Sequence, residues 1–191
     1  RDIEKSIHYY ILAANQNDPI SQYSLGVIYL NAEFVKFDIN KVIHYLTLSA
    51  NQNVSYAQYN LGKIYFDGKL VKQDINKGIH YLTLAANQNY LEAFYMLSYI
   101  YYEGRCVPRD IDKCIYYLTL AANQNHTESQ HKLGFLYYEG KYVKHDINKA
   151  MHYMTLAANQ YHPNAQFFLG YMYYLGKNVE KDPKKFIHYF T

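Results

Sequence analysis

The sequence predicts an all-α protein, an α–α superhelix (solenoid) of about five 36-residue helix–turn–helix repeats with a partial sixth. Three observations predict it. The stretch TLAANQN stands at residues 83–89 and 119–125, with TLSANQN at 47–53 and TLAANQY at 155–161. Asp2, Asp38, Asp74, Asp110, Asp146 and Asp182 recur every 36 residues without insertion. Within each unit apolar residues recur at three- and four-residue spacing, the period of a helix. A motif for chemistry is needed once, whereas a motif for packing is needed wherever the packing recurs. TLAANQN holds no acid, base, thiol or metal ligand.

The aspartate frame predicts one repeat domain over residues 1–191, with units 2–37, 38–73, 74–109, 110–145 and 146–181 and a partial unit 182–191. The first helix of each unit starts at its Asp, whose carboxylate accepts from the unpaired N–H groups of the first turn and suits the positive end of the helix dipole. Ile75, Ile79, Leu82 and Ala86 form its apolar stripe. TLAANQN is its last turn: alanines for close packing, then an asparagine-rich stop, since Asn tolerates left-handed backbone. The second helix begins a few residues later, with Pro19 and Pro163 at its head in two units. Gly26, Gly62, Gly134 and Gly170 fall mid-helix, where glycine costs up to about 1 kcal/mol against alanine. Their recurrence predicts a neighbouring helix too close for a side chain, with Ser98 in the same slot of the third unit. Gly68, Gly104, Gly140 and Gly176 end the helix. Neither helix can bury its stripe alone, so the units must stack.

Composition bounds the partners. The chain has 191 residues, 25 tyrosines, no tryptophan and a formal net charge of +3, too little to suggest the strongly basic face of a nucleic-acid binder. No apolar run approaches the ~18 residues of a membrane span. Two cysteines, Cys106 and Cys114, make no disulfide framework and favour a reducing compartment such as the cytoplasm. The chain starts without Met and stops inside the repeating pattern, so it reads as a fragment of a longer one.

The column Ala57, Leu61-Gly62, Tyr65, Gly68, Val71, Asp74, Lys77, Tyr81 and Ala85-Ala86 resembles the Sel1-like repeat, a relative of the tetratricopeptide repeat. The resemblance covers the whole chain and implies a right-handed superhelix acting as an adaptor or scaffold for protein partners. Three positions depart from the family pattern. Phe34, Leu70, Cys106, Tyr142 and Asn178 occupy a slot that is often glycine. Ala32 replaces the helix-ending glycine of later units. Leu12, Leu48, Leu84, Leu120 and Leu156 fill a slot usually polar, either as an exposed apolar strip or as packing against the next unit.

By analogy with tetratricopeptide repeats, the second helices line a concave groove. Their outward positions in the third to fifth units are Tyr95, Tyr99 and Tyr102; His131, Phe135 and Tyr138; and Phe167, Tyr171 and Tyr174. Each set shares one helix face. The candidate partner-binding residues are Tyr95, Tyr99, Tyr102, Phe135, Tyr138, Phe167, Tyr171 and Tyr174, since tyrosine and phenylalanine suit protein interfaces. The alternative for these residues is ordinary half-buried packing. The expected function is a protein–protein interaction scaffold that binds a protein or peptide. The alternatives are a structural spacer working through its edges or convex face and, behind that, an RNA-binding helical repeat.

Neither catalysis nor a cofactor is expected. Ser129-Gln130-His131-Lys132 spells S-x-x-K, but the companion motifs of that chemistry are absent. His8, His44, His80, His152 and His188 form a ladder whose rungs lie too far apart for one zinc ion, and His126, His131, His145 and His162 make no consistent second column. No metal site is expected. Lys69, Lys72, Arg105, Arg109, Lys141, Lys144, Lys177 and Lys181 trace a mild basic ridge, diluted by the aspartates beside it.

Overall fold

The computed structural model describes residues 2–176 and 179–190. Its regular elements among these residues are eleven α-helices: α1 Ile3–Asn15, α2 Pro19–Asn31, α3 Ile39–Asn51, α4 Ser55–Asp67, α5 Ile75–Asn87, α6 Leu91–Glu103, α7 Ile111–Asn123, α8 Thr127–Glu139, α9 Ile147–Ala158, α10 Pro163–Leu175 and α11 Pro183–Phe190. They form the helical-hairpin solenoid the period predicts, with odd-numbered helices as first helices and even-numbered ones as second. The chain divides into two compact units, residues 1–93 and 94–191. In the first, α1 packs on α2, α2 on α3, α3 on α4 and α4 on α5; in the second, α7 packs on α8, α8 on α9, α9 on α10 and α10 on α11.

Asp74, Asp110, Asp146 and Asp182 each have two roles. The Asp74 carboxylate accepts from the Lys77 N–H at 2.9 Å and caps α5, and the caps at Asp38, Asp110 and Asp146 repeat this geometry. The Asp74 N–H meanwhile donates to the Tyr65 carbonyl at 2.9 Å, closing the loop that leaves α4. Gly68, which ends α4, has φ +65, a conformation that glycine adopts without steric cost. Ala32 ends α2 with φ 52 although it is not glycine. The stop at the end of each first helix rests on the third residue of the NQN triplet. Asn17, Asn53, Asn89 and Asn125 take φ between 59 and 67, and Tyr161 takes φ 62 in the fifth repeat.

The mid-helix glycines Gly26, Gly62 and Gly134 mark close approach. A Cβ on Gly62 would stand 2.9 Å from the backbone nitrogen of Leu82 on α5. Leu25, Val42, Leu46 and Leu61 are fully buried in the first unit, as are Leu133, Leu169 and Ala157 in the second.

Two columns that the sequence shows only as repeats meet in space. Lys41, Lys77, Lys113, Lys149 and Lys185 place their ammonium groups 4.0–4.9 Å from the ring centres of Tyr29, Tyr65, Tyr101, Tyr137 and Tyr173. Each of these rings also stacks on a tyrosine of the following helix: Tyr45, Tyr81, Tyr117, Tyr153 or Tyr189. The lysine column thus serves packing, because an ammonium over a ring face is drawn to its quadrupole. Of the leucine row, Leu12 is exposed and Leu48, Leu84, Leu120 and Leu156 are half-buried.

Candidate functional site

The second unit carries a groove of about 530 Å³. Its walls come from second helices: Tyr99 and Tyr102 on α6, Phe135 on α8, and Phe167 and Tyr171 on α10. Its floor comes from first helices, with Cys114 and Leu118 of α7 and Met154 of α9, all nearly fully buried. Because α6, α8 and α10 recur at one repeat spacing, equivalent positions fall side by side and build one apolar strip. Tyr99, Phe135, Phe167 and Tyr171 keep between 44% and 59% of their surface exposed. His131 and Lys132 add the polar part of the lining. Phe167 and Tyr171, one turn apart, lie parallel with ring centres 6.1 Å apart.

The other three candidates do not line this groove. Tyr95 is half-buried against His126 at 4.9 Å, under the Lys132 ammonium, and burial, helped by the charge of Glu128, pushes its phenol up to about 12. Tyr138 meets Phe168 edge-on at 4.8 Å. Tyr174 is exposed and lies 5.3 Å from the Phe186 ring. Helix periodicity assigns all eight residues to one kind of face, but neighbouring rings cover some of them.

The remaining sequence candidates have structural roles. Ser129 is fully buried, and its hydroxyl pairs with the His126 ring at 2.8 Å, within the cap of α8. Lys132 reaches Glu128 at 3.6 Å. Ser129 and Lys132 therefore form no exposed nucleophile–base pair. In the basic ridge, Arg109 donates to the Tyr102 carbonyl at 2.8 Å and to the Tyr142 hydroxyl at 3.1 Å, and Arg105 pairs with Glu103. Lys177 lies outside the described residues. The ladder histidines His8, His44, His80, His152 and His188 are exposed.

One cluster escaped the column reading. His131 and His162 stack with ring centres 4.3 Å apart, and His162 Nε2 lies 3.1 Å from a Glu128 oxygen. His162 Nδ1 accepts from the Ala165 N–H at 3.4 Å, capping α10. Burial and the neighbouring His162 hold His131 below the ordinary imidazole range. Burial alone would raise Glu128, but the His162 hydrogen bond and the charge of Lys132 outweigh it and hold the carboxyl below its usual range. The available signal was the Glu128-x-x-His131 spacing, which puts both side chains on one face of α8.

Tandem helical hairpins with a recurring aspartate cap, a lysine over a tyrosine and an aromatic groove define a helical-repeat scaffold. The chain belongs to the Sel1 repeat family, whose profile matches residues 1–18, 19–54, 55–90, 91–126, 127–162 and 163–191. These segments are cut at a different phase from the aspartate frame and cover the same period. The family is a non-catalytic repeat type, and Sel1-repeat proteins generally mediate protein–protein interactions. A protective antigen present in uropathogenic Escherichia coli strains, displaying the same fold, superposes with a TM-score of 0.89 at 27% identity over 96% of this chain. The chain spans only 39% of that antigen's length. A Sel1 repeat protein from Oxalobacter formigenes gives 0.79 at 30% identity, over 91% of this chain and 71% of its own. The Helicobacter pylori cysteine-rich protein B shares the fold at 0.52 and 24% identity, over 67% of this chain and 92% of its own. No functionally curated protein matches the chain. No helix among the described residues is long and apolar enough to cross a membrane.

Proposed function

We propose that this chain is a non-enzymatic scaffold that holds a protein or peptide partner against the aromatic groove of residues 94–191. The observation that carries the reading is the exposure of Tyr99, Phe135, Phe167 and Tyr171 along one apolar wall. Four large rings left half in water on adjacent helices are costly surface unless something covers them. They stand on helices fixed by a packed core, so a partner loses little to ordering the scaffold. Tyr102 extends the wall, while Tyr95, Tyr138 and Tyr174 support or flank it. The low net charge and the committed arginine contacts favour a protein over RNA.

The test places a photo-crosslinking residue at groove position 102, 164 or 167, and at position 80 as a control, in the chain in its native extract. Crosslinks to one protein from the three groove positions, lost in the Tyr99→Ala/Phe135→Ala/Tyr171→Ala variant at unchanged helicity, are the expected result. Equal capture by the triple variant, or by position 80, would refute the groove and favour a spacer that works through its edges.

A further inference from the structure

We propose that Glu128, His131 and His162 form a binding site for one divalent transition-metal ion, with zinc as the favoured occupant. The proposal is independent of what occupies the groove. Glu128 and His131 lie three residues apart at the start of α8, and His162 arrives from the turn before α10, one repeat later in the chain. One ligand atom from each comes within 4.8 Å of the other two. Ligands at about 2.0–2.2 Å from a zinc ion lie roughly 3.5 Å from one another in a tetrahedral shell, so the three must close by roughly 1 Å. Side-chain rotations suffice, because two of them project from a single helical turn.

Two further observations point to an ion. His131 Nδ1 is buried and has no hydrogen-bond partner, whereas buried polar atoms are nearly always paired. The donor set is two imidazoles and one carboxylate, which suits zinc, whereas calcium and magnesium call for oxygen ligands. A three-residue set leaves a fourth position for water or for a group from a partner.

Uptake has identifiable costs. Two imidazoles aiming lone pairs at one ion must tilt out of their present stack. Binding through His162 Nε2 moves that ring's proton to Nδ1 and gives up the long contact with the Ala165 N–H. Lys132 must release Glu128, or share it, since the two now lie 3.6 Å apart. The result is a site of modest affinity that the scaffold does not need for folding.

The experiment titrates zinc into the untagged chain by calorimetry and cobalt(II) by visible absorption. Variants are Glu128→Gln, His131→Phe and His162→Asn, the last keeping a good helix cap, with His80→Asn as control. The expected result is saturable uptake of one ion by the wild type and by His80→Asn. Each site variant binds at least about tenfold more weakly at unchanged helicity. In the wild-type chain alone, zinc is expected to shift the imidazole nitrogen resonances of His131 and His162 and leave those of His80 unmoved. The proposal is overturned by absence of saturable uptake, by uptake equally strong in all three variants, or by resonance shifts confined to the exposed ladder.

Discussion

Gln88 donates its side-chain amide to the side-chain oxygen of Gln58 at 2.6 Å, across thirty residues of chain. Gln58 is buried, and its own amide donates to the Ala50 carbonyl near the end of α3 at 3.2 Å. One glutamine therefore ties the first helix of its own hairpin to the first helix of the next. Gln52 to Gln22 at 2.9 Å and Gln160 to Gln130 at 2.7 Å repeat the arrangement. In the third repeat Phe94 takes the slot and packs near Tyr117 instead.

Gln58→Ala should therefore lower unfolding free energy by about 2–3 kcal/mol, because it removes two buried side-chain hydrogen bonds and leaves a cavity, although the Ala50 carbonyl keeps the Asn53 N–H. Gln88→Ala should cost about 1 kcal/mol, and the double variant less than the sum. Urea unfolding of the four proteins measures the coupling. Strict additivity would show that the 2.6 Å contact contributes nothing.

Gly62→Ala should destabilise by roughly 1–3 kcal/mol, since the new methyl meets the Leu82 backbone nitrogen, which cannot rotate away. That outweighs the ~1 kcal/mol that alanine gains in helix propensity. Gly26→Ala meets the tip of Leu46 at 2.7 Å and should cost less, because a side chain can yield. Thermal unfolding ranks the two, and a gain in stability for Gly62→Ala would contradict the close approach.

Ala32 and Tyr161 hold left-handed backbone without being glycine or asparagine. Ala32→Gly should stabilise by about 1 kcal/mol. Tyr161→Asn should also stabilise, by a few tenths, and this restores the triplet found in the other repeats. Denaturant midpoints at constant slope are the measurement; a loss at position 32 would show the loop favours alanine for another reason.

Cys106 is exposed and Cys114 buried, and burial pushes the Cys114 thiol from 9.0 to about 11. Iodoacetamide at pH 8 should label Cys106 alone until the chain unfolds. The folded state holds the Cys114 proton more tightly than the unfolded one, so this thiol's contribution to stability is full below pH 9 and declines toward pH 11. Between those values the wild type should lose more stability than Cys114→Ala. Parallel unfolding curves would contradict the raised value.

The period, the helix starts and the helix stops were legible in the sequence, because caps and turn residues act locally and recur in register. The close approach at Gly26, Gly62 and Gly134 was legible because a costly residue recurs in one slot. The glutamine pairs were not, since Gln58 and Gln88 sit in different columns thirty residues apart and only the fold reveals that they touch. The groove was legible in part: helix phase brings Tyr99, Phe135 and Tyr171 together, but it cannot report that Phe168 covers Tyr138. The cluster of His131, His162 and Glu128 was hidden because Glu92/Glu128 and His126/His162 recur in only two repeats and His131 has no equivalent. A search by columns passes over such short matches.

The lysine–tyrosine and glutamine contacts have a consequence for how the gene can change. Each contact pairs a slot in one module with a fixed slot in the same or the next, so inserting or excising a whole module leaves the surrounding contacts with equivalent partners. A chain with one module more or fewer would keep its helices in step. Module number can thus change while each hairpin keeps a surface of its own.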